Sequence, residues 1–428
     1  MVQHNSRQVA CQALLRAEKP GDFLEHRLDA DPGYRSLSPE DRRLARELAS
    51  GVLRQRAALD WLIAGRTGGR NQRTEIQAIL RLGAYQLFFL DRVPDHAAVH
   101  ETVELARANG FGAQSGFVNA VLRALTREKA PLREALEALR LKDPATGWSH
   151  PKWLVDRWAK TLSPEDLQSL LRWNNTPPRT FARVNRLRTS PADLLARWTS
   201  EGVTVVPFDV TWAPSGTLFE LESHPPLEGL PSFLEGGFYV QDPSTLLAVE
   251  ALSVEPGLRV LDLCAAPGGK SFRIAELLAG SGELVATDSS VERRDLILDN
   301  SARLGISHIR VAAPETAGDG FDRVLVDAPC SNTGVLRRRV ELRWRLQYEE
   351  FSRLARLQGS LLDDAAARVR PGGLLVYSTC SIDPEENTAV VETFLKRQPG
   401  FALEGTRMAH PVRDGVDGAF CARLRRTP

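Results

Sequence analysis

Apolar residues recur at helical spacing through the first third of the chain. Val118, Val121, Leu122 and Leu125 share one stripe, and Ile76, Ile79, Leu80 and Leu82 suggest another. Ser38-Pro39-Glu40-Asp41 predicts a capped helix start with proline in the first turn. No β-rich run interrupts residues 5–140, so residues 1–142 are expected to form an all-α domain large enough to bury its own core. The character then changes. Pro177-Pro178, Pro225-Pro226 and Gly236-Gly237 punctuate short β-prone runs at 203–208 and 217–221. A small α/β connecting domain is expected over 143–237.

From 238 the pattern becomes strand, turn, helix, repeated. Strands are predicted at 258–263, 283–287, 323–326 and 374–378, with helices such as 271–278 and 351–369 between them. Apolar strands alternating with helices imply an α/β, Rossmann-like, mostly parallel sheet over 238–428. Ligands of such sheets bind beyond the carboxyl ends of the strands, where the distinctive residues of this chain lie.

Composition narrows the class without naming a function. The chain has 428 residues, 43% hydrophobic and 25% charged, which suits two to four globular domains. No window approaches the ~18 unbroken apolar residues of a membrane span, and the best candidate, 78–90, is cut by Arg81. The opening Met1-Val2-Gln3-His4 leads into no signal-peptide core. Cysteines at 11, 264, 330, 380 and 421 form no CxxC and no zinc spacing, so reduced thiols, a cytoplasmic location and no metal are expected. Net charge is +1, but arginines cluster at 172–188 and 337–345. Such clusters suit phosphate contacts, although a cluster taken alone more often marks a solvated face.

The loop after the first of these strands reads Cys264-Ala265-Ala266-Pro267-Gly268-Gly269-Lys270-Ser271. Small residues let backbone approach a ligand, and the following helix offers its N-terminal amides. Gly269-Lys270-Ser271 fits the end of a phosphate-gripping P-loop, but Cys264 holds its leading glycine position and Pro267 removes an amide donor. The competing reading is a nucleoside-binding loop, in which the next strand should end in an acid for the ribose hydroxyls. Asp288 stands there, 20 residues after Gly268.

Asp327-Ala328-Pro329-Cys330 follows the third strand, and Thr379-Cys380-Ser381 the fourth. A single buried cysteine is usually a small hydrophobe. Two of them, each just past a strand end beside a nucleoside loop, point to chemistry. The reaction that uses them is carbon methylation of a pyrimidine: a thiolate adds to C6 and turns C5 into a nucleophile. Asp327 is placed to hydrogen-bond the base edge, and a second thiol to assist elimination.

CAAPGGK, DAPCSNTG and STCS with PEEN resemble the motifs of RNA cytosine-C5 methyltransferases. The resemblance makes Cys380 the nucleophile and Cys330 the group that aids product release. It lays S-adenosylmethionine along Cys264, Ala265, Ala266, Pro267, Gly268, Gly269 and Lys270, with Asp288 and Asp327. His96-Ala97-Ala98-Val99 and Gly116 to Arg123 are similar to a NusB-like helical RNA-binding domain, and Gly415 to Leu424 resembles the family's closing strand pair. This is the layout of the RsmB-type enzymes, so 16S rRNA or a small-subunit precursor is the implied partner, with the protein acting as a monomer. The target base is expected to be flipped out. Arg183, Arg186, Arg337, Arg338 and Arg339 are the candidate phosphate contacts.

Two stretches depart from the family. The segment 311–315 lacks the acid expected near the adenine, leaving Glu315 and Asp319 nearby. Arg337-Arg338 continue as Arg339-Val340-Glu341 where the family commonly has His-Pro-Asp. The alternative to an enzyme is an RNA-binding assembly factor that keeps the fold without the reaction.

Overall fold

The computed structural model describes residues 5–17 and 23–428; the opening Met1 to His4, read above for a signal peptide, lies outside them. The chain divides into two compact units, Met1–Thr176 with Leu336–Leu346, and Pro177–Val335 with Gln347–Pro428.

The first unit is helical. Ser38 caps the helix Pro39–Arg54 by accepting the Asp41 amide at 3.1 Å. Val118, Val121, Leu122 and Leu125 are each at most 4% exposed, as their stripe predicted. Burying a side chain of this size contributes about 1.5–3 kcal/mol, so one stripe is enough to fix a helix against its neighbours. Helices continue past the expected boundary at 142, through Lys152–Trp158 and Pro164–Asn174. Pro144 and Pro164 open helices at their first turns and so do not end the helical stretch.

Leu336–Leu346 belongs to this helical unit, although it follows the DAPCSNTG motif in sequence. Val340 joins the helical core. Arg343 is fully buried and donates to the Asn174 carbonyl (2.8 Å), the Asn175 Oδ1 (2.9 Å) and the Ser149 carbonyl (3.2 Å). Arg337 is 2% exposed and stacks on Trp173 at 3.9 Å, and half-buried Arg339 stacks on Phe23 at 3.8 Å. The expected phosphate grip at Arg337 is thus corrected: the guanidinium is spent on packing inside the protein. Arg338 and Arg339 are half-buried rather than a solvated stripe.

The second unit holds two sheets. The smaller is antiparallel and built from β1 (Thr180–Val184), β2 (Thr204–Pro207), β3 (Leu218–Ser223) and β4 (Phe238–Val240), in the order β2-β3-β1-β4. The helix Pro191–Ser200 places fully buried Trp198 edge-on to Phe219 and Phe238. Arg183, on β1, is also fully buried, ion-paired to Glu276 and donating to Gln241 Oε1 at 2.8 Å. It cannot reach RNA phosphate, which corrects the second expected contact. Strand alternation turned it inward, next to an acid whose position the sequence does not show. Arg186 is exposed.

The larger sheet contains β5 (Arg259–Leu263), β6 (Glu283–Thr287), β7 (Arg310–Ala312), β8 (Phe321–Asp327), β9 (Val369–Thr379), β10 (Phe401–Ala409) and β11 (Ala419–Arg426). Their order is β10-β11-β9-β8-β5-β6-β7. Strands β5 to β9 pair in parallel, and β11 returns antiparallel between β9 and β10. Gly415 to Leu424 therefore supplies one member of the closing pair, and its partner lies upstream at 401–409. Because the chain steps from β5 to β6 on one side and later to β8 on the other, the ends of β5 and β8 flank the switch point where ligands bind.

Candidate active site

Three loops meet at that switch point. The first follows β5. Gly268 adopts φ +104°, and a Cβ there would stand 2.2 Å from the Phe272 ring, so the backbone comes as close to its helix as only glycine permits. The Ala265 amide donates to the Thr287 carbonyl at 2.8 Å, tying the loop to the end of β6. At that end lies Asp288, 2% exposed, whose Oδ2 accepts no hydrogen bond and lies 3.4 Å from Arg293 Nη2. A buried carboxylate oxygen left this way, beside a small-residue cradle, fits a ribose diol of S-adenosylmethionine.

The P-loop reading fails on the same loop. Ser271 is fully buried and its hydroxyl donates to Asp262, so it is not available to a magnesium ion. Lys270 Nζ turns to Asp327 Oδ2 at 2.7 Å, bridging the ends of β5 and β8. Burial opposes the Lys270 ammonium, but the Asp327 charge and hydrogen bond outweigh it, and its proton is held more tightly than usual. Burial also raises two neighbours, the Asp262 carboxyl to about 7 and the Cys264 thiol to about 12, with the surrounding carboxylates adding to both. Cys264 is therefore an inert thiol in the wall of the loop.

Beyond β8 and β9 come the two cysteines. Asp327 pairs with Ser378 across the ladder, so Cys330 and Cys380 leave adjacent strand ends. Their sulfurs lie 3.3 Å apart. Cys330 is buried and Cys380 half-buried. The hydrogen bond that the Cys330 thiol makes to Cys380, and then burial, push that thiol well above its ordinary range. The Gly334 amide donates to the Cys380 carbonyl at 2.9 Å, and a Cβ on Gly334 would meet that oxygen at 2.6 Å.

Residues the motif reading left without roles hold these loops. Glu386, fully buried, accepts the Ser331 amide at 2.9 Å, the Ser331 hydroxyl, and Gln358 Nε2 at 3.0 Å. Thr333 Oγ1 donates to Asp383 Oδ2 at 2.6 Å. Asn332, at φ +60°, donates from Nδ2 to the Cys330 carbonyl at 2.7 Å and accepts from Cys380 Sγ at 3.1 Å. All but Gln358 and Asp383 lie inside the motifs DAPCSNTG and PEEN, but the motifs do not show which of them bond to one another. Glu315 and Asp319 are both exposed, and Cys421 is buried in the core. Among the described residues there is no cluster of three or more potential metal ligands, and no helix is long and apolar enough to cross a membrane.

Family models match three stretches of the chain. Residues 249–425 match the 16S rRNA methyltransferase RsmB/F model, residues 4–127 the NusB family, and residues 150–220 the ferredoxin-like domain of RsmF/B-like methyltransferases. The probable ribosomal RNA small subunit methyltransferase B of Bacillus subtilis is 35% identical, covering 98% of each chain. The chain belongs to the ribosomal RNA small subunit methyltransferase B family. A Klebsiella pneumoniae member is 36% identical over 98% of both chains. The crystal structure of PH0851 superposes with a TM-score of 0.80 at 25% identity, covering 100% of this chain and 99% of that one. A methyltransferase homolog from Pyrococcus horikoshii gives 0.59 at 28% identity, covering 67% of this chain and 98% of its own. Family membership implies S-adenosylmethionine as the methyl donor.

Proposed function

We propose that this protein methylates C5 of a cytosine in 16S rRNA, with Cys380 as nucleophile and Cys330 as the residue that frees the product. The observation that carries the reading is the 3.3 Å pair of thiols beside the Lys270–Asp327 bridge, at the end of a nucleoside loop. S-adenosylmethionine, held along 264–270 with its ribose on Asp288, supplies an electrophilic methyl when bound.

The residues of the chain do the rest. Cys380 loses its thiol proton to solvent and adds through sulfur to C6, and the electron pair of the C5–C6 bond moves to C5. C5 takes the methyl group. The C5 proton then leaves to a base, the C5–C6 double bond re-forms, and the C6–sulfur bond breaks to return the Cys380 thiolate. Asp327, a third exposed and with Oδ2 committed to Lys270, would accept a hydrogen bond from the amino group at the base edge and so orient C5 and C6 toward the thiols. Lys270 fixes the orientation of that carboxylate. Cys330, behind Cys380, is close enough to act on the adduct as it collapses. Both sulfurs and the methyl must meet C5 and C6, so the base is flipped out of its stack.

Bisulfite sequencing of unmodified 16S rRNA and of immature small subunits, incubated with the protein with and without S-adenosylmethionine, tests the reading. One protected cytosine that requires the cofactor is expected. Full conversion at every position on both substrates would leave an RNA-binding assembly factor as the better account.

A further inference from the structure

We propose that Asn332 is a positioning residue that decides which of the two thiols attacks. The inference rests on the cytosine-C5 reading above. Two sulfurs 3.3 Å apart can present the same base with two nucleophiles, and the deeper burial of Cys330 does not by itself hold the half-buried Cys380 sulfur in an attacking position. Asn332 does. Its Nδ2 donates to the Cys330 carbonyl at 2.7 Å, and a carbonyl can only accept. The amide orientation is therefore fixed by the bond it makes, and Oδ1 is left facing Cys380, whose thiol donates to it at 3.1 Å. One side chain thus ties down the backbone that carries Cys330 and holds the Cys380 sulfur in place.

The backbone at this position sharpens the point. Asn332 sits at φ +60°, in the left-handed region that asparagine tolerates and glycine adopts freely. If the position needed only that conformation, glycine would serve as well. What asparagine adds is the amide, and its two bonds go to the two cysteines of the site. Holding the attacking atom in one geometry is the kind of contribution that appears in kcat, because a misplaced nucleophile lowers the rate without changing how tightly RNA binds.

The test compares wild type, Asn332→Gly and Asn332→Asp on a 16S rRNA transcript, with kcat and KM measured separately. The same three proteins are then trapped on RNA carrying 5-fluorocytidine, whose C5 has no proton to lose, and the adducts are mapped by peptide. Asn332→Gly keeps the backbone and removes the amide. It is expected to lose about tenfold or more in kcat with KM for RNA within about twofold, and to divide the trapped adduct between Cys380 and Cys330. Asn332→Asp keeps an acceptor oxygen, gives up the donor to the Cys330 carbonyl, and sets a carboxylate beside the sulfur that must become a thiolate. It is expected to fall below the glycine variant. Asn332→Gly with kcat within twofold of wild type, or a loss confined to KM, would overturn the proposal, as would wild-type activity in Asn332→Asp. If wild type transfers methyl and Asn332→Gly matches it, only this inference fails. If wild type transfers none to any cytosine, the functional reading fails and this inference with it.

Discussion

Cys330 Sγ lies 3.3 Å from Cys380 Sγ, although 50 residues separate them. The approach follows from β8 and β9 being hydrogen-bonded neighbours in parallel register, with Asp327 opposite Ser378. Each cysteine leaves its strand end just beyond that pair. The two roles assigned to them separate on mutation. Cys380→Ala is expected to abolish turnover and to form no covalent RNA complex. Cys330→Ala is expected to slow release and to accumulate one, visible as a band resistant to denaturing electrophoresis. Normal turnover by Cys330→Ala with trapping by Cys380→Ala would exchange the roles.

Asp262 is fully buried beneath the cofactor loop, and burial raises its carboxyl to about 7. A carboxyl raised on folding stabilises the protein while it is protonated, below its unfolded value near 3.8, and that contribution is lost as pH rises through the folded value. Wild type should therefore lose stability between about pH 4 and 7, by up to a few kcal/mol, relative to Asp262→Asn. Denaturant unfolding of the cofactor-free proteins at pH 5 and at pH 8 checks the sign. A stability difference that does not change with pH would rule this out.

Arg343 donates to a set of backbone carbonyls and to Asn175 with no exposed surface of its own. Arg343→Met leaves those acceptors unpaired in the interior. It should cost the helical unit about 3 kcal/mol, and Arg343→Lys, with one ammonium for several acceptors, should recover only part. Chemical denaturation of the whole chain measures both. Wild-type stability in Arg343→Met would show that the segment 336–346 is not held by this residue.

Arg183 and Arg186 lie three residues apart and are expected to behave in opposite ways. Arg183→Gln breaks a buried pair with Glu276 and should destabilise the protein by about 2 kcal/mol, because Glu276 loses one of its two buried arginine partners and keeps only Arg273. Arg186→Gln changes an exposed side chain. It should leave stability unchanged and lower the salt dependence of RNA binding by about one phosphate's worth. A salt slope unaltered in Arg186→Gln would remove Arg186 from the RNA surface.

Much of the catalytic half could be read before any coordinates. The strands at 283–287, 323–326 and 374–378 lie within β6, β8 and β9, because fully buried parallel strands give continuous apolar runs that local composition displays. The strands β1, β4 and β10 give no readable signal: β1 and β4 are five residues or fewer, too short to establish a period, and β10 is exposed along most of its length, so it carries no apolar run. The cysteines, Asp288 and the loop 264–270 were legible as motifs. Asn332 stood inside a motif, but its two bonds depend on a side-chain direction that a string of letters does not carry.

What the sequence by itself determined is local and chemical. Helical spacing, strand runs, capping residues and the identity of the reactive groups are properties of short segments, and each survives being read alone. What only the tertiary structure decided is which side chains share an environment. Arg183 and Arg186 belong to one arginine-rich run, yet strand geometry sends one into the interior against Glu276 and leaves the other in water. Arg337 to Arg345 look like a basic patch, yet Arg337 stacks on Trp173 and Arg343 ends among the carbonyls of the helical unit. Charge is written in the sequence. Its solvation depends on residues 93 to 169 positions away, so whether a charge binds a partner or stabilises the fold is settled only when the chain is packed.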